Sequence, residues 1–75
     1  MPPEEAIVLA RKLCRSLASA PLPQERARQV FQTLTRARGW SPAQESAILA
    51  FGDWLDGRPA PGAMKERCER LLAAL

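Results

Sequence analysis

At 75 residues the chain has room for one domain. A domain this short buries only part of its surface, so its elements must pack efficiently or a partner, such as a second copy, must complete the core. A hydrophobic content of 47% excludes typical disorder, no apolar run approaches the roughly 20 residues that span a bilayer, and a net charge of +3 is modest beside dedicated nucleic-acid binders.

The seven prolines set the organisation. Proline fixes φ and lacks an N–H, so it suits the first turn of a helix and breaks later ones. Pro2 and Pro3, Pro21 and Pro23, Pro42, and Pro59 and Pro61 all fall at the edges of amphipathic segments. The expected fold is all-α: a compact bundle of four short antiparallel helices, with residues 1–75 as a single helical domain.

The first helix is predicted over residues 3–19. Ala6, Ile7, Ala10, Leu13, Cys14 and Leu17 share one face, and Glu4 and Glu5 sit in the first turn, where carboxylates favour the helix dipole. Val8 and Leu9 lie off that face, while Lys12 and Arg15 point away from it. The second helix is predicted over residues 23–38, with Gly39 as its stop. Ala27, Val30, Phe31 and Leu34 form its core stripe, and Arg28, Gln32 and Arg36 recur every four residues on the other side.

Ser41, Pro42 and Gln44 open the third helix as a capping box with proline at the first position, and Gly57 ends it. Ala47, Ile48, Phe51, Trp54 and Leu55 face inward. Glu45, Leu49, Gly52, Asp53 and Asp56 make the opposite face, an acidic stripe around one exposed leucine. Gly52 costs about 1 kcal/mol in a helix relative to alanine; either it admits a close neighbouring helix or it is simply tolerated. The fourth helix is predicted over residues 61–75, on a stripe of Met64, Cys68, Leu71, Leu72 and Leu75. Cys14 and Cys68 are expected to face inward as inert core thiols. They match no zinc spacing, and the inferred cytosolic setting argues against a disulfide.

Catalysis is not expected. There is no histidine or tyrosine, neither cysteine has an adjacent base, and no glycine-rich phosphate loop is present. No cofactor, metal or small-molecule substrate is indicated. Residues 35–42, followed by Phe51 and Trp54-Leu55, are similar to the helix-turn-helix in the core-binding domain of tyrosine recombinases, with spacing one turn short. Residues 54–61 resemble the end of a recognition helix in Cro-like repressors, a family that places two helices where residues 41–57 hold one. Each likeness covers under a third of the chain, and no functional residue carries over from either.

Two functional readings follow. In the first, the chain is a non-enzymatic interaction module that binds a protein partner, or itself, through Val8, Leu9, Leu49 and Asp53. In the second, Lys12, Arg15, Arg28 and Arg36 form a basic surface on the first two helices that contacts DNA or RNA phosphates. Residues 1–38 carry seven basic and three acidic side chains, a net of +4, against −1 for the remainder. Nine arginines against two lysines, with thirteen alanines, suggest a GC-rich genome and hence a bacterial, phage or plasmid origin. The opening residues lack the basic-then-apolar order of a signal peptide, so the expected location is cytoplasmic.

Overall fold

A computed structural model describes all of residues 1–75. The chain forms four α-helices, α1 (Pro3–Arg15), α2 (Pro23–Arg36), α3 (Pro42–Asp56) and α4 (Pro61–Ala74), and no strand. A proline begins each helix. Its missing N–H is one that no intrahelical carbonyl would have accepted, and its fixed φ is already helical. Only α3 adds a side-chain cap: Ser41 Oγ accepts from the Gln44 N–H at 3.2 Å, and Gln44 Oε1 accepts from the Ser41 N–H at 2.9 Å. The Gln44 amide also donates to the Leu75 carbonyl at 3.1 Å, so the start of α3 meets the end of α4.

The first two helices end earlier than their apolar patterns predict. α1 stops at Arg15, where Ser16 Oγ donates to the Leu13 carbonyl at 3.0 Å. A hydroxyl bonded to a nearby carbonyl offers the backbone an alternative to helix. The chain tightens into one 3-10 turn at Leu17–Ser19, which still buries Leu17. Arg26 then donates to Ser16 Oγ at 2.6 Å and ties the start of α2 to this corner.

α2 stops at Arg36, and Gly39 is not its terminator. Ala37 is already extended, at φ −77° and ψ 153°, and is buried. The Leu34 carbonyl, left free at the helix end, accepts from the Ala37 N–H at 3.3 Å and from Trp40 Nε1 at 2.9 Å. Trp40 therefore closes α2 as well as packing against the core. Gly39 takes φ +102° within the connection, a conformation open to glycine, and the Arg38 N–H donates to the Met1 carbonyl at 3.2 Å. The α2–α3 connection is thereby pinned to the beginning of α1.

One cluster of 15 buried apolar residues draws on all four helices, with Phe51, Leu17, Leu34, Leu55 and Met64 among its largest members. α1 packs most extensively on α2. α4 touches the other three helices, and α1 and α3 do not meet. The radius of gyration is 11.3 Å, matching the roughly 11 Å expected of a folded chain this long. Gly52 does not belong to the exposed acidic face. It is buried, and the Phe31 ring of α2 lies where a Cβ would be, 2.5 Å from that position at Cε1. The glycine is what lets α2 and α3 approach there.

Candidate functional site

Val8, Leu9 and Leu49 are exposed as expected, and Leu22, which the helical stripes do not flag, is more exposed than any of them at 60%. Leu22 lies between Pro21 and Pro23, just outside α2, where no periodicity reports on it. Val8 and Leu9 stand on α1 and Leu49 on α3. Those two helices do not pack directly on one another. Asp53 is exposed one turn beyond Leu49 on α3.

Leu49 is not an isolated aliphatic. It stands at the lip of a groove of about 280 Å³ where the α2–α3 connection passes the first turns of α3. Buried Ala37 and Ile48 and half-buried Trp40 form the floor, and Arg38 and Glu45 are exposed at the rim. The groove exists because α2 ends early. Ala37 turns inward, Trp40 is held by its bond to the Leu34 carbonyl, and Leu49 remains 51% exposed beside them. Its volume is just below the range usual for small-molecule pockets, about 300–1,000 Å³. Trp40, Ile48 and Arg38 are members that the sequence alone did not identify.

The four basic residues are all exposed, and two of them have identifiable neighbours on other helices. Arg28 Nη2 meets Asp56 Oδ1 at 3.4 Å and so faces the end of α3. Arg15 lines a second groove, of about 400 Å³, between α1 and α4. Lys12 and Arg36 are exposed on α1 and α2 respectively. One member of the basic set expected on the first two helices, Arg28, thus stands beside a carboxylate.

Around the α1–α4 groove, Arg11, Arg15, Lys65 and Glu69 are exposed, while Cys14 and Leu72 are buried beneath them. The Cys14 and Cys68 thiols lie against one another in the core, and both are free. Burial, and then the Glu69 carboxylate, push the Cys14 thiol up from its ordinary range, with Lys65 opposing. Burial, followed by Cys14, pushes the Cys68 thiol up to about 12. Both therefore stay protonated at neutral pH. Elsewhere, the Arg67 guanidinium stands 5.5 Å over the Trp54 ring, which stacks on Phe51 at 5.9 Å. No three His, Cys, Asp or Glu side chains come together in a way that could hold a metal ion, and no helix is long and apolar enough to cross a membrane.

No family model matches the chain, no curated protein matches its sequence, and no solved structure matches its fold.

Proposed function

We propose that this chain is a non-enzymatic helical interaction module whose docking point for a protein partner is the α2–α3 groove beside Leu49. The supporting observation is an aliphatic side chain 51% exposed at the edge of a concave apolar floor, with one basic and one acidic residue at the rim. A large apolar side chain of a partner, presented on a helix or a second copy of this chain, would bury Leu49, Ile48 and Trp40 together. Arg38 and Glu45 would fix its orientation. The helices are taken as an antiparallel bundle, as their short connections favour. A cytoplasmic accessory or regulatory role in a bacterium, phage or plasmid suits a domain of this size. Nucleic-acid binding is the weaker reading, because Arg15 and Arg28 face different neighbours and Arg28 stands beside Asp56.

The experiment is Leu49→Asp, compared with the parent by affinity capture from the native host and by size-exclusion chromatography. Helical circular dichroism should stay unchanged, since Leu49 lies outside the core, while the captured partner or the dimer is lost. Retention of the same partner and the same elution volume would defeat the reading.

A further inference from the structure

Cys14 lines the α1–α4 groove, and its thiol interacts in the core with that of Cys68, which does not reach the groove. Cys14 is 4% exposed and lines the groove, whereas Cys68 is fully buried. A reagent entering the groove therefore meets Cys14 first and reaches Cys68 only through it. Arg11, Arg15 and Lys65 stand around the opening against the single carboxylate of Glu69. Lys65 and Glu69 are 3.9 Å apart, which leaves the two arginines to set the sign of the entrance. That arrangement favours an anionic reagent.

We propose that Cys14 and Cys68 constitute a disulfide-forming site across the α1–α4 interface, in which Cys14 exchanges with an anionic low-molecular-weight disulfide and Cys68 resolves the product. In the first step Cys14, having lost its proton, attacks one sulfur of oxidised glutathione. A Cys14–glutathione bond forms, the glutathione S–S bond breaks, and one glutathione leaves as thiolate. In the second step Cys68, deprotonated in turn, attacks Cys14 Sγ. The Cys14–Cys68 bond forms and the second glutathione leaves. The two protons given up by the protein end on the two glutathiones. The protein loses two electrons and the glutathione disulfide gains them.

Proximity drives the second step. A glutathionyl group on Cys14 extends into the groove, and the Cys68 thiol, beside Cys14 in the core, is placed to displace it. Burial makes the exchange slow at neutral pH, because the thiolate is the nucleophile and both thiols are held protonated. Such a site stays reduced under ordinary cytosolic conditions and responds to sustained oxidation.

The test incubates the folded protein with oxidised glutathione at pH 8 and reads intact mass and a non-reducing peptide map. Wild type should lose its two thiol hydrogens and show one peptide joining residues 14 and 68. Cys68→Ala should hold one glutathione on Cys14. Cys14→Ala should react at least about tenfold more slowly than Cys68→Ala, because its remaining thiol has no access to the groove. Arg15→Glu should slow the reaction with oxidised glutathione more than that with cationic cystamine. Circular dichroism checks each variant, and the wild-type result depends on none of them. Wild type carrying two glutathiones, wild type failing to react, or Cys14→Ala reacting as fast as Cys68→Ala would overturn the proposal.

Discussion

Gly52 offers a direct test of the α2–α3 packing, because two opposed effects act at one atom. In a helix interior alanine is favoured over glycine by about 1 kcal/mol. An added Cβ here would lie 2.5 Å from Phe31 Cε1 and 2.6 Å from Cζ. Restoring ordinary contact requires the ring edge to retreat by roughly 1 Å. Phe31 is only half-buried, so its ring can tilt outward, but doing so uncovers apolar surface and loosens its packing on the core. Overpacking of this kind costs about 1–3 kcal/mol, so Gly52→Ala should destabilise the fold by about 1 kcal/mol net. In a Phe31→Leu background, which removes the two closest atoms, the same substitution should become neutral or stabilising by up to about 1 kcal/mol. Urea denaturation of the four proteins, followed by circular dichroism, gives the coupling directly. A stabilised Gly52→Ala in the parent, or a coupling near zero, would mean that the ring does not rest on the glycine and that the reasoning is wrong.

Trp40→Phe keeps a ring in the groove floor but removes the donor to the Leu34 carbonyl. A loss of about 1 kcal/mol in urea unfolding is expected, and no loss would show that the indole N–H does not close α2. The thiols make stability fall at alkaline pH under reducing conditions. Cys68 titrates near 12 in the folded chain against 9.0 ordinarily, so the unfolded chain releases its proton first. This contribution is complete below about pH 9 and is lost as pH rises through about 12, at up to about 1.4 kcal/mol per pH unit. Cys68→Ala should show a shallower alkaline decline, and an identical pH profile would refute the assignment. A double-mutant cycle on Arg28 and Asp56, both exposed, should give a coupling below about 1 kcal/mol that disappears in high salt.

The starts of the helices were legible in the sequence and two of their ends were not, for a physical reason. A proline at the first helical position acts through its own φ, so residues 3, 23, 42 and 61 could be placed without knowing any neighbour. The capping box of Ser41 and Gln44 is equally local. The end of α2 depends instead on Trp40 reaching back to the Leu34 carbonyl and on Ala37 entering the core, and both are tertiary events. Gly52 shows the same limit. Periodicity put it on the acidic face opposite the apolar stripe and left a close helix or mere tolerance as its explanations, and the Phe31 ring decides for the close helix. On the basic side of α2, eight helical residues turn a side chain by about 80°, so Arg28 and Arg36 are offset around the helix, and the Arg28 contact with Asp56 on α3 is a tertiary event that the spacing does not report.

The same irregularity generates the candidate site. Had α2 continued to residue 38, Ala37 would have extended the helix, and Trp40 would have lost its reach to the Leu34 carbonyl. Leu49 would then have been one more exposed aliphatic on a helical surface. The early end of α2 brings Ala37 and Trp40 beneath Leu49 and makes a concavity with Ile48. Trp40 therefore has two separable consequences. Its N–H holds the end of α2, and its ring supplies the floor that a partner would cover. Trp40→Phe should lower stability while preserving partner capture, and Leu49→Asp should do the reverse. That opposite pairing of stability and binding would not arise if the groove were only a packing defect between two helices.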